Sequence, residues 1–597
     1  MLSAALIASF WLLPISATAQ DLVGFSSLTG GGSVFVFRSA SRTAKRYVAA
    51  AKPTRTKTQR MASVTKLKQQ YETIAQTSPK TGRMAAAGGP KPPPPTMPPK
   101  EAAKIFTGVG EYFIQKGEID NAVDKFRDAL SLDAELMPAK LGLSEALGRK
   151  GNDLLEKDQF DAAKPVFVEA LANNPKNAAA YFGLGEVYNE LGQTGEAIAS
   201  YEKSLENDKN LTEIYAPLGI LYFQNGDIAK ADDLLTKAVA LTPDQADTQF
   251  FLGLVRSSQN RQDEALAALQ KATTIDPNYV EAWGRLGDTL VAVKRPAEAI
   301  PAYQKAVALK DKYFEAWLGL GGALYDTDKF ADALTALTTA KKLKNDSWEV
   351  YSGIGDANLK LNNFNDAAAN FNLAGSFLTR MKDFNKDTAA DIYSKVGYAI
   401  GQQCPLNMAK FQPCQWNSAI KALEKAVELG GKPIDQTNLG WAYFNASRVD
   451  RDNKDTAAQQ AKLQLAKEKL LIAAAANPAF LDSVLQNLGS VQNDLGDFPG
   501  AIENFTKVID KQPDWTFSRY ALGSAYFFSG DYDNAEKAFR GAIDKDPNYV
   551  EALYSLGIVY VKRKNVKEAN KVLDQLKAKD PAAAARLAQE IRLAKFK

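Results

Sequence analysis

The stretch DPNYVEAWGRLGDTLVAVKRPAEAIPAYQKA, residues 276–306, decides the fold. Within it Trp283, Leu286 and Leu290 fall at i, i+3 and i+7, one apolar stripe of a helix. Ala299, Tyr303 and Ala306 follow at i, i+4 and i+7, a second stripe. Asp276-Pro277 closes the element before them, because proline cannot continue a helix without losing a hydrogen bond and clashing. Small residues at Gly287 and Ala299 let two helix backbones approach, and a large residue such as Tyr303 fills the space beside them. The stretch is a pair of amphipathic helices.

Working outward, the same marks return. Glycine stands at 151, 185, 219, 253, 287, 321 and 355, each 34 residues from the last. With 40 Gly in 597 residues, that coincidence has a chance of roughly one in ten million, so the period is a structural repeat. Twelve residues after each glycine comes an alanine, from Ala163 to Ala367. Sixteen after comes a large apolar residue: Phe167, Tyr201, Leu235, Leu269, Tyr303, Leu337 and Phe371. Gly110, with Ala122, Phe126 and Ala129, gives an earlier unit after a seven-residue insertion. Gly397 and Gly440 carry longer insertions, and Gly489, Gly523 and Gly557 resume the period. Thirteen marks predict thirteen helical pairs from residue 101 onward, and the polar segment Ala582 to Lys597 is suited to cap the last.

These residues resemble the tetratricopeptide repeat family over about five-sixths of the chain. Its pattern is matched by Tyr181, Leu184, Gly185, Tyr188, Ala197 and Tyr201, with Pro175 before them. The resemblance implies an all-α fold, an α-solenoid in which about thirteen hairpins wind into a right-handed superhelix. First helices would line a groove that holds proteins or extended peptides. In that geometry one inward position carries an acidic column, Glu213, Asp247, Glu281, Glu315 and Glu349, joined by Asp288 and Asp356. Such a column favours a basic ligand, or simply complements helix N-termini. Towards the C-terminus the inward positions turn aromatic: Trp441, Phe444, Tyr520, Phe527, Phe528 and Tyr554, residue types that supply binding hot spots. The family's clamp for peptide C-termini is not matched, since only Asn152 fits and Gly148 and Gly183 stand at two other places.

The region before the repeats differs in kind. Residues 2–15 are apolar and are followed by Ala17-Thr18-Ala19, which predicts a signal peptide over 1–19 with cleavage before Gln20. Residues 20–100 hold fourteen basic and two acidic side chains, a net +12 that leaves the rest near −8. This arm is expected to be low in complexity and mostly disordered, with a Pro-rich linker over 86–100. Inside it Val34-Phe35-Val36-Phe37, preceded by Gly30 to Gly32, is a strand candidate, and residues 64–75 a candidate basic helix. The expected divisions are 1–19, 20–100, an N-terminal array at 101–380, repeats with insertions at 381–480, and C-terminal repeats with the cap at 481–597.

Chemistry is constrained by what is missing. The chain has no histidine and two cysteines, which removes Ser-His and Cys-His nucleophiles, His-ligated zinc and His-held haem. No phosphate-binding glycine motif is present, and Asp450 to Asp455 lacks the glycine and closing glutamate of a calcium loop. We therefore expect no enzyme activity, no catalytic or metal residues and no cofactor. Cys404 and Cys414, close together in a Pro-bounded loop of an exported chain, are expected to pair as a disulfide. The function expected is a non-catalytic scaffold in the bacterial envelope, periplasmic or at the cell surface. Its partners would be proteins or extended peptides, with no nucleic acid and no transmembrane span. Residues 20–100 would grip an anionic polymer or lipid surface, or fold back on the groove. The alternative is a glycan-binding accessory subunit whose groove aromatics stack on sugars.

Overall fold

The computed structural model describes residues 23–25, 34–36, 97–403 and 415–595. The expected signal segment, most of the basic arm and both cysteines lie outside them. The described chain is helical throughout except for one small hairpin. It divides into two compact bodies, residues 47–319 and residues 1–46 with 320–597, the division falling within one helix.

In the first body the helices come in consecutive pairs. They are α1 (Pro99–Lys116) with α2 (Ile119–Leu132), α3 (Met137–Glu156) with α4 (Phe160–Asn173), and α5 (Ala178–Glu190) with α6 (Thr194–Asn207). Then follow α7 (Tyr215–Asn225) with α8 (Ile228–Leu241), α9 (Ala246–Ser258) with α10 (Gln262–Ile275), and α11 (Val280–Ala292) with α12 (Pro296–Leu309). The division falls in α13 (Phe314–Asp326).

The second body continues with α14 (Phe330–Leu343), α15 (Trp348–Lys360) with α16 (Phe364–Thr379), and α17 (Lys386–Gln402) with α18 (Trp416–Gly430). The insertion at Gly440 lengthens both helices of its pair, α19 (Pro433–Asp452) and α20 (Thr456–Ala475). After them come α21 (Leu481–Asp494) with α22 (Phe498–Lys511), α23 (Thr516–Ser529) with α24 (Tyr532–Lys545), and α25 (Val550–Lys562) with α26 (Val566–Lys579). The last helix, α27 (Pro581–Lys595), packs Ala583, Leu587 and Ile591 onto the end of the array.

The repeated glycines show why the pairs stack. Phe126 lies between Gly110 of its own repeat and Gly142 of the next, and Phe167 likewise between Gly151 and Gly183. A Cβ placed on Gly183 would stand 2.3 Å from the Phe167 ring. Tyr303 occupies the same place between Gly287 and Gly319. One large side chain therefore fills the gap inside its own repeat and the seam to the following one. Burying each contributes about 1.5–3 kcal/mol, and the stabilisation passes from neighbour to neighbour.

Turns and caps repeat too. The link between the helices of a pair needs a left-handed residue, found at Gly192, Gly226, Asn260 and Lys294 in the first body, 34 residues apart. Asn177 caps α5, its Oδ1 accepting from the Ala180 N–H, while its Nδ2 donates to Ser144 Oγ of the preceding repeat at 2.9 Å. That side chain satisfies an orphan donor and ties two repeats together.

The hairpin pairs β1 (Val23–Phe25) antiparallel with β2 (Val34–Val36), in register Val23 with Val36 and Phe25 with Val34. β2 coincides with the strand expected from the sequence. It lies against α19 and α21 of the second body.

Candidate binding grooves

In the first body α9 adjoins α11, and Tyr313, just before α13, reaches Gly284 of α11, so the inward residues of these helices lie near one another. Glu213 sits in a short 3-10 turn, Thr212–Ile214, leading into α7. Asp247 opens α9, Glu281 opens α11 and Glu315 opens α13. Glu281 is exposed, the other three partly so. Among them, Asp247 accepts a hydrogen bond from Tyr279, and Lys310 stands 3.9 Å from Glu281.

Asp288 is the electrostatic centre of this face. It accepts from Tyr303 Oη at 2.8 Å, and the Arg285 guanidinium stands 3.3 Å away. Burial outweighs both, with Glu315 adding repulsion, so the carboxyl is pushed up to about 6. Tyr313, largely buried beside Asp288, Glu315 and Glu281, has its phenol raised, chiefly by burial. A cation arriving here would meet carboxylates that the protein has neutralised only in part.

The same position in α5 is built differently. Glu186 is fully buried and accepts from Tyr201 Oη at 2.7 Å. The tyrosine fifteen residues on supplies the bond in both repeats, a pairing that sequence reading missed although the spacing was visible.

In the second body Glu349 accepts from Ser347 Oγ at 2.6 Å. Asp356 does not extend an acidic column. Lys395 of α17, 8% exposed, lies 3.0 Å from Asp356 and 3.1 Å from Asp391, a buried triad across α15 and α17.

The aromatics separate into two groups. Trp441 and Phe444 are 3% and 2% exposed. Trp441 meets Trp416 edge-on at 5.2 Å and lies 6.3 Å from Tyr398. They are packed within the body rather than open in a groove, which removes Trp441 as a stacking platform for sugars. Tyr520 is partly buried against Phe539 and Tyr549, Phe527 against Tyr532, and Tyr554 lies under Arg586 at 5.1 Å. Only Phe528 among the six stands well out, 61% exposed and stacked on Phe498.

One feature had no signal in the repeat pattern. In α19 residues 437–447 are buried without interruption, and in α21 residues 483–492. Polar side chains share this burial. Ser518 Oγ donates to Gln486 Oε1, Ser490 Oγ donates to the Gln486 carbonyl, and Asn504 donates to Gln492 Oε1 at 2.6 Å.

Comparisons with known proteins bear on two parts of the chain. Residues 177–374 match a family model described as the cilia and flagella-associated protein 70 C-terminal domain, and residues 526–591 match a tetratricopeptide repeat model. Hsp70-Hsp90 organizing protein 1 of Glycine max is 33% identical over 66 residues, which is 11% of this chain and spans only 12% of that protein. Among solved structures, YrrB, titled a TPR protein with an unusual peptide-binding site, is 22% identical. It covers 32% of this chain and 96% of its own, with TM-score 0.29. The APC/C hetero-tetramer Cut9-Hcn1 is 15% identical, covering 82% of this chain and 96% of its own, with TM-score 0.33.

The match over residues 177–374 corrects one expectation. An exported protein of the bacterial envelope is not what that family describes, since its name attaches it to cilia and flagella. The envelope localisation therefore does not stand, and neither does the setting in which residues 20–100 would meet a wall polymer. Among the described residues no helix is long and apolar enough to cross a membrane.

Proposed function

We propose that this tetratricopeptide-repeat chain, a protein-binding scaffold, holds its partner by an extended basic segment laid along the acidic face of the first body. The observation that carries the reading is the set Asp247, Glu281, Asp288 and Glu315. These carboxylates come from three successive first helices, and one of them, Asp288, has its carboxyl pushed up to about 6, chiefly by burial, despite an arginine and a tyrosine beside it. A lysine or arginine side chain placed there would complete the charge balance. Carboxylates at repeat intervals would read an extended backbone by register rather than by one pocket. The family described for residues 177–374 makes cilia and flagella the setting in which to seek that partner.

The test uses labelled peptides of equal length, Lys/Arg-rich and Glu-rich, against the full chain and a Glu281→Lys, Glu315→Lys variant. The wild type should prefer the basic peptide, with affinity falling steeply as salt rises, since partly exposed charges are screened. The variant should lose at least about tenfold in affinity, the scale of a misplaced interfacial charge. Equal binding of both peptides, or an unaffected variant, would remove the acidic face as the partner site.

A further inference from the structure

A first helix in a stacked array has four sides. Its own partner covers one and neighbouring first helices cover two. The fourth faces the groove, and where water fills the groove, exposure recurs along the helix. In α11 Glu281 is exposed, with Trp283, Arg285 and Asp288 partly so. In α23 Phe517, Tyr520, Leu522, Ser524 and Tyr526 are all partly exposed.

α19 and α21 break this rule. Eleven consecutive residues in one and ten in the other are buried. At 3.6 residues per turn such runs sweep the helix circumference more than twice, so neither helix keeps an open side. Besides α20, which packs on both as their neighbour in the array, a described element that lies against both is β2, Val34–Val36. A two-stranded hairpin with three residues per strand does not stand alone in water, so this one depends on the surface beneath it. That surface is apolar and polar by turns: Leu439 and Phe444 of α19 and Val484 and Leu488 of α21 are buried, and so are Thr437, Ser483, Gln486 and Ser490.

We propose that the groove face of α19 and α21 is a second docking surface, specific for an extended apolar strand, and that the chain's own hairpin occupies it. This surface lies in the second body and does not depend on the acidic-face reading. Because the occupant belongs to the same chain, it competes with any outside segment as an intramolecular ligand. An outside segment with the same alternation of β-branched and aromatic residues, as in Val34-Phe35-Val36-Phe37, gains the site only by displacing it. The hairpin thereby sets a threshold that a partner strand must exceed.

The experiment compares the full chain with a Val34→Asp, Val36→Asp variant, using a fluorescein-labelled peptide of residues 21–38 as the probe. Circular dichroism first checks that the variant keeps its helices. Freed of its cis occupant, the variant should bind the peptide about tenfold more tightly or better. Hydrogen exchange should speed up in residues 433–494 of the variant and slow again when unlabelled peptide is added. Equal peptide affinity in the two chains, or unchanged exchange across these helices, would overturn the proposal.

Discussion

A methyl group distinguishes two kinds of glycine in these helices. Gly183 faces the Phe167 ring so closely that a Cβ would overlap it, and the ring is held on its other side by Gly151. Gly183→Ala should therefore destabilise the first body by about 1–3 kcal/mol, the usual cost of overpacking. Gly108, inside α1, has nothing within 4 Å of an added Cβ, and Gly108→Ala should stabilise by about 0.5–1 kcal/mol through backbone entropy. Urea titration of both variants checks the opposite signs. Asp288 gives a second test, with pH as the variable. Its folded carboxyl titrates near 6, above the ordinary aspartate value, so between about 4 and 6 the folded state binds more protons than the unfolded one. That contribution favours folding below about pH 4 and is lost as pH rises through 6. Asp288→Asn still accepts from Tyr303 but cannot ionise. Relative to wild type it should gain on the order of 1–2 kcal/mol at pH 7.5 and little at pH 4, as read from urea midpoints at the two values. A gain that does not change with pH would mean that charge burial at Asp288 is not the cause.

At the scale of the helix, α12 holds a proline where the repeat does not call for one. Pro301 is the sixth residue of Pro296–Leu309 and is exposed, so it adds little to the core and withholds one backbone hydrogen bond. Pro301→Ala should raise stability by about 1–3 kcal/mol, up to the full cost of an interior proline, and a thermal melt that fails to move upward would contradict this. The helices themselves were legible because the same residue does the same work every 34 positions. Gly287 and Tyr303 announce a close helix pair in sequence just as they make one in space. The groove was less legible. Glu213, Asp247, Glu281 and Glu315 were found by register, but the register could not show that Lys395, from another repeat, neutralises Asp356. Trp441 and Phe444 were read as inward-facing aromatics of the groove, yet they are buried. What lies against their helix is β2, a strand some 400 residues away in sequence. Repeat periodicity carries no information about such a contact, because the occupant is not part of the repeat.

Within each body the described helical hairpins pack chiefly on the ones before and after them, and this governs how damage spreads. In such an array stability is close to a sum of repeat and interface terms, so a local lesion lowers the body that contains it and leaves a distant one nearly intact. The two bodies contain suitable lesions. Gly183→Ala strains a seam in residues 47–319, while Lys395→Met removes the cation from between Asp356 and Asp391 in the other body. The second change leaves two buried carboxylates facing each other and should cost about 3–5 kcal/mol. Hydrogen exchange in rising urea, followed peptide by peptide, separates the two responses. Gly183→Ala should lower the exchange midpoint of peptides from α3 to α6 and leave α21 to α26 within error of wild type. Lys395→Met should do the reverse, loosening α15 to α20 while α3 to α6 stay protected. If either variant shifted every helix together, the array would be unfolding as a single cooperative unit, and nearest-neighbour stacking through residues such as Phe167 and Tyr303 would not be what holds it.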